Sequence, residues 1–341
     1  MRRISAIGAA VSIAVVSLTG ISVRSVPAVA ASPPVVIFDS DMDWDDAATL
    51  AYLAQEDKLG RIDLRAVTVV NNGAGFPGRA IRHARCLVEK LGLKDVRIAD
   101  GSAAAPNAMP TELRESIDRI VADLVPGCTA SDAPSRLRAP QLIRRVLAGE
   151  PSAQLIVTGP LSNVAAASPV AAHRVTSMGG AVGVPGNLCC GTPPDFDGSQ
   201  EFNYWMDPAA GRAVLENSAG RVRLVPLDAT NDVPITPAFA ERLRSDHHTP
   251  AADIALGIAT HPELADFLAA GQLFWWDPVA AMSAIRPGTV TFETGRLTVV
   301  QQGPSAGRTV LSRTGGRVRF AAASDAAAFE QRFIDTLNNR R

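Results

Sequence analysis

Val35-Val36-Ile37-Phe38 is a continuous apolar run of strand length, and it leads directly into Asp39-Ser40-Asp41-Met42-Asp43-Trp44-Asp45-Asp46. Five carboxylates within eight positions at a strand end repel one another unless a cation neutralises them. Oxygen-only ligands suit a hard ion, and calcium is favoured over magnesium where several carboxylates and a backbone carbonyl share it. The alternative is a solvated acidic loop in which Asp45 or Asp46 caps the next helix. Capping and metal binding are compatible.

The residues after the cluster turn helical from Ala47 to Ala54, and this strand–loop–helix grammar returns along the chain. Leu64 to Val70 reads as a strand that ends at Asn71-Asn72-Gly73, and Arg79 to Leu91 as an amphipathic helix. Gln154 to Val157 is a third strand, followed by Thr158-Gly159-Pro160 and a helix through Asn163 to Ala167, and Arg221 to Leu227 is a fourth. Thr289 to Val300 and Arg308 to Ala321 read as strands, and Ser324 to Leu337 as a closing helix. Alternating strands and helices predict an α/β fold: a single large domain with a mostly parallel, mixed central sheet flanked by helices. Ligands of such sheets bind outside the carboxyl ends of the strands, where the polar clusters of this chain fall. Residues 184 to 200 and 245 to 251 read as loops.

Met1-Arg2-Arg3, an apolar stretch from Ile4 to about Ile21 and Ala28-Val29-Ala30 have the three parts of a secretory signal peptide, here residues 1–30. The reading predicts an exported protein, secreted or held in the cell envelope, with no stable membrane span after cleavage and a catalytic domain over residues 31–341. Cys86, Cys128, Cys189 and Cys190 are compatible with an oxidising compartment, with their connectivity open. Lys and Arg total 33 against 34 for Asp and Glu, and no basic run outside the first residues argues for a nucleic-acid partner.

The strand-end pattern D-x-D-x-x-x-D-D resembles that of the nucleoside hydrolases, and further motifs follow in family order. Val157-Thr158-Gly159-Pro160-Leu161-Ser162-Asn163 is similar to the family's T-G-P-L-[ST]-N turn. Met178-Gly179-Gly180-Ala181 precedes Gly186-Asn187. Glu201-Phe202-Asn203 then precedes Asp207-Pro208-Ala209-Ala210, and Leu227-Asp228-Ala229-Thr230 precedes Trp276-Asp277-Pro278. The resemblance implies the nucleoside hydrolase fold with its Rossmann-like core, and hydrolysis of the N-glycosidic bond of a small-molecule ribonucleoside. It places calcium on Asp41, Asp46 and Asp277, with the Thr158 carbonyl as a further ligand, and makes Asp41 the general base on a calcium-bound water. Asp45, Asn187, Glu201 and Asn203 would hydrogen-bond the ribose hydroxyls. Family members are commonly dimers or tetramers, so it also implies a homodimer or homotetramer.

The chemistry suits those residue types. Breaking the bond builds positive charge on the ribosyl ring, which a carboxylate-rich cleft stabilises more than the neutral substrate. In the inosine–uridine branch a His precedes the last metal Asp and protonates the departing base; here Trp276 stands there. That resembles the purine-preferring (inosine–adenosine–guanosine) branch, in which an aromatic ring stacks on the base. Asp43, where that branch carries Asn, would approach the ribose or the base. Ordinary core packing is the other account of Trp275 and Trp276. Two further readings compete: a non-catalytic ribose- or nucleoside-binding protein on the same fold, and a haloacid-dehalogenase-type phosphatase, which also begins with a strand and D-x-D.

Overall fold

The computed structural model describes residues 32–168, 173–189, 196–217 and 219–340. The signal peptide expected at residues 1–30 lies outside them, as does Cys190. Residues 33–341 form one compact unit. No helix among the described residues is long and apolar enough to cross a membrane.

Nine strands form one sheet. They are β1 (Val35–Ser40), β2 (Asp63–Val69), β3 (Arg97–Asp100), β4 (Gln154–Val157), β5 (Arg174–Met178), β6 (Val222–Val225), β7 (Val290–Val299), β8 (Thr309–Leu311) and β9 (Gly316–Ser324), in the spatial order β3-β2-β1-β4-β5-β6-β9-β7-β8. The run from β3 to β9 is parallel, and β7 pairs antiparallel with β9 and β8. The first six strands thus keep the doubly wound order 3-2-1-4-5-6, whose direction reverses between β1 and β4. In sheets of this kind ligands bind at that switch point, beyond the carboxyl ends of the two strands.

Helices cover both faces because β1 and its neighbours are apolar on both. Val36, Phe38 and Ile156 belong to a core shared with the helices Trp44–Lys58 (α1), Arg79–Lys90 (α2) and Thr111–Leu124 (α3), and with Pro250–Ala259, Trp276–Ile285 and Ala326–Leu337. Val35, Ile37, Leu155 and Val157 belong to the opposite core, with Ala139–Gly149 (α4), Ser162–Ala166 (α5) and Pro208–Asn217. The single α/β domain expected from the sequence is what the structure shows.

Some elements depart from expectation. β3 and β5 carry no continuous apolar run and are additional strands. Arg308 to Ala321 is two strands rather than one. The chain turns between them over residues 312–315, where the Gly315 amide donates to the Ser312 carbonyl at 3.2 Å, and a Cβ on Gly316 at the start of β9 would overlap the Leu215 carbonyl. The fourth expected strand is shorter, because Leu227 begins a short helix, Leu227–Thr230, instead of ending β6.

Cys86 on α2 and Cys128 just beyond α3 form a disulfide, with Cα atoms 5.8 Å apart, and no described cysteine is free. The bond closes a loop of sequence separation 42, for which chain entropy gives a stabilisation of about 2–4 kcal/mol. The Cys86→Ser/Cys128→Ser double variant should therefore lose about that much in urea titrations; an unchanged midpoint would deny the bond that role.

Candidate active site at the carboxyl ends of β1 and β4

β1 ends where the backbone turns through a left-handed conformation at Met42 (φ 59°). A non-glycine residue there costs about 1–2 kcal/mol, and the Met42 side chain is buried in the core, which holds the turn. The turn delivers Asp43 to the N-cap of α1, where its carboxylate accepts the Trp44 amide at 2.6 Å and Asp46 Oδ2 accepts the Asp43 amide at 2.9 Å. Both halves of a capping box are therefore carboxylates, and the positive end of α1 favours them. The N-cap is thus Asp43 rather than Asp45 or Asp46, which lie in the first turn of α1 and are buried rather than solvated.

Asp41, Asp45, Asp46 and Asp277 are all buried. Asp41 Oδ2 accepts the Ala74 amide at 2.6 Å, and the Gly75 amide donates to the Asp41 carbonyl at 2.8 Å. The space for this is made by glycine: a Cβ at Gly73 would overlap the Asp41 carboxylate, and one at Gly159 would crowd its Cβ and backbone nitrogen. Asp46 Oδ1 accepts the Thr158 hydroxyl, and the Asp277 amide donates to Asp45 Oδ2 at 3.2 Å across 232 residues. Asn203 Nδ2 donates to the Thr158 carbonyl at 2.8 Å. Glu201 caps the helix Phe202–Met206, accepting the Asn203 and Tyr204 amides, and reaches the Gly180 amide at 2.8 Å. Asn187 is anchored beside it by accepting the Phe202 amide at 3.1 Å.

Electrostatics set this site apart. Burial, and then the neighbouring carboxylates, push Asp41, Asp45 and Asp277 well above the ordinary carboxylate range, Asp43 to about 8 and Asp46 to about 7. Asp39 also rises to about 7 through burial, but it is a structural carboxylate held by Thr68 Oγ1 and Asn163 Nδ2. None of Asp41, Asp43, Asp45, Asp46 or Asp277 forms an ion pair with a basic side chain among the described residues.

Among the described residues, no group of three or more His, Cys, Asp or Glu side chains has the arrangement of a metal centre. The donor set nevertheless fits a hard cation in kind. The charge of Asp46 adds to burial in raising Asp41, so the two buried carboxylates are close enough to repel. Two buried carboxylates that close need either a shared proton or a cation between them.

Trp276 opens the helix that carries Asp277. Its ring is half-buried, 5.8 Å from Trp44 and 5.6 Å from Phe274, and its Nε1 donates to Asn231 Oδ1 at 3.0 Å. Trp275 is fully buried against Phe239 and Phe333, so its part is core packing. Trp44 was not singled out in the sequence: its neighbour in space is distant along the chain, and only its place inside the aspartate motif marks it. Asn231, Asn163 and Asp228, which accepts the Val182 and Gly183 amides, were likewise not foreseen as supports.

The histidines are engaged elsewhere: His83 with Asp118, His247 with the Arg244 carbonyl, His248 with Asp246 and His261 with the Glu263 amide. His173 precedes β5, at the end of the strand away from the site.

With this geometry in place, comparison with known proteins is specific. The sequence pattern described as "Inosine-uridine preferring nucleoside hydrolase" matches residues 36–331. The pyrimidine-specific ribonucleoside hydrolase RihB of Escherichia coli is 27% identical over 301 residues, covering 82% of this chain and 88% of that protein. Among solved structures, an inosine-uridine preferring nucleoside hydrolase from Bacillus anthracis superimposes with a TM-score of 0.76 at 23% identity, over 90% of this chain and 99% of the other. The purine-preferring ribonucleoside hydrolase from Gardnerella vaginalis gives 0.71 at 21% identity, over 89% and 98%.

Proposed function

Because the chain belongs to the inosine-uridine preferring nucleoside hydrolase family, whose members hydrolyse N-glycosyl bonds of ribonucleosides, we propose that it is an exported, calcium-dependent hydrolase acting on purine ribonucleosides. The observation that carries the site assignment is the junction of Asp41, Asp46 and Thr158 beside Asp45 and Asp277, buried at the sheet's switch point with no ion pair to a basic side chain among the described residues. Export rests on the character of residues 1–30.

Asp41, Asp46 and Asp277 through carboxylates, and Thr158 through its carbonyl, are the residues that would hold the cation. When bound, calcium neutralises the cluster and supplies Lewis-acid polarisation. The rest is the work of side chains. Asp41 takes a proton from the attacking water as the C1′–O bond forms and the C1′–N bond breaks, giving ribose and the free base. Asp45, Asn187, Glu201 and Asn203 take the ribose hydroxyls, and their fixed partners make that recognition stringent, because a missing hydroxyl leaves buried groups unpaired. The cluster's negative charge favours the oxocarbenium-like ring over the neutral substrate. Trp276 stacks on the base, Asp43 faces the ribose or base, and the leaving nitrogen draws its proton from solvent.

The test is release of base and ribose from inosine, adenosine, guanosine and uridine, with and without chelator. Release that is faster for purines and lost on chelation is the expected result. The pyrimidine-specific relative supports a second reading, in which uridine is the better substrate and Trp276 is only a wall. Nucleoside binding without any release would move the chain to the non-catalytic binding alternative. Base–aromatic stacking is worth about 1–3 kcal/mol, so Trp276→Ala should cost purine substrates about 5- to 150-fold in kcat/KM and uridine much less. Equal losses would remove the stacking role.

A further inference from the structure

We propose that Arg114, on α3, is a positioning residue for Asp41, acting through the loop of residues 71–76; the inference rests on the reading of Asp41 as the general base. The loop lies between the two residues. On one side its amides grip Asp41 twice, Ala74 N on Oδ2 at 2.6 Å and Gly75 N on the main-chain oxygen at 2.8 Å. On the other side three carbonyls of the same loop are held by one guanidinium, one of them in the 74–75 peptide whose amide meets Asp41. Arg114 Nε donates to the Ala74 carbonyl at 3.2 Å, and Nη2 donates to the Asn71 carbonyl at 3.3 Å and also to the Gly75 carbonyl. The guanidinium plane lies over the Phe76 ring, 4.2 Å from its centroid.

A loop that contains Gly73 and Gly75 has little stiffness of its own, and both glycines are required by the closeness of Asp41. Its rigidity has to come from outside. Three carbonyls converging on one planar fork is a task for arginine, since a lysine ammonium offers a point charge without the fork geometry. Half-burial lowers the guanidinium's affinity for its proton while the charge of Asp41 raises it, so the two groups sense each other across the loop. Arg114 needs no contact with substrate for this effect.

The test uses the full chain with Arg114→Ala and Arg114→Lys. Displacement of a catalytic group by about 1 Å costs on the order of 100-fold, so Arg114→Ala should lower kcat by about that factor with KM nearly unchanged. The Lys variant should fall in between, and added methylguanidinium should restore part of the Ala variant's kcat. Hydrogen–deuterium exchange of the peptide spanning residues 70–77 should accelerate in Arg114→Ala while that of β4 does not. Unchanged exchange in that peptide, or a kcat that falls only in step with the folded fraction and is not rescued, would overturn the proposal. Should the parent release no base from any nucleoside, the hydrolase reading fails, and the exchange measurement still decides whether Arg114 holds the loop.

Discussion

Asp41→Asn should lower nucleoside turnover by about 10²–10⁴-fold, the range that general-base catalysis supplies, while circular dichroism and the melting temperature stay close to those of the parent. Asparagine keeps the shape and still accepts the Ala74 amide through its carbonyl oxygen, so the loop contact at 2.6 Å survives. It cannot take a proton from water. Burial and the charge of Asp46 already disfavour the Asp41 anion in the metal-free protein, so neutral asparagine should leave the apoprotein no less stable and the melting curve serves as a control. A large loss of kcat with a preserved fold supports the assignment; turnover within threefold of the parent would assign the base elsewhere.

The part of the site that was legible is the part written as strand ends. Asp41 and Thr158 follow β1 and β4 directly and Asp46 lies in the first turn of the helix after β1, so once those strands are recognised as neighbours the residues have to meet. Asp277 could be brought to them only by the family resemblance, since nothing local says that the helix Trp276–Ile285 abuts α1; the structure joins them through the Asp45–Asp277 contact. Pairings between distant residues were invisible for the same reason, even where a partner stood in a motif. Trp44 meets Trp276, Asn163 holds Asp39 and Cys86 pairs with Cys128 through tertiary packing, which spacing does not encode. Arg114 is one charged residue on an amphipathic helix, and only the path of the 71–76 loop gives it a task.

The fold was legible wherever both faces of a strand are apolar. β1 and β4 announce themselves in that way, and β2 does so in its second half, around Ala66, Val67 and Val69. β5, Arg-Val-Thr-Ser-Met, does not: it begins with an exposed Arg174 and buries Thr176 and Ser177, polar residues that a parallel strand accommodates when its neighbours supply the packing. β3 is too short for a periodic signal, and Arg97 at its start is exposed.

The second large effect concerns the cation. In chelator the protein should lose turnover altogether and become less stable, and it should do so most at neutral to alkaline pH. Asp46 and Asp43 are raised to about 7 and about 8 in the folded chain, by burial first and by their neighbours' charges second, whereas in the unfolded chain they ionise near pH 4. Between those limits the folded state holds more protons than the unfolded one, so unfolding free energy falls as pH rises. The chelated protein should therefore melt at progressively lower temperature from about pH 5 to pH 8. Calcium reverses the sign of the argument. An ion bound only by the folded state, at a hundredfold above its dissociation constant, adds about 2.7 kcal/mol, and because it binds ionised carboxylates its grip strengthens as pH rises and its binding releases protons. The gap between the calcium-loaded and chelated melting curves should thus widen from pH 5 to pH 8, and calorimetric titrations in buffers of different ionisation enthalpy should register proton release. Curves that stay parallel across that range, with turnover indifferent to chelator, would mean that the buried carboxylates are neutralised by protons alone and that the site works without a metal.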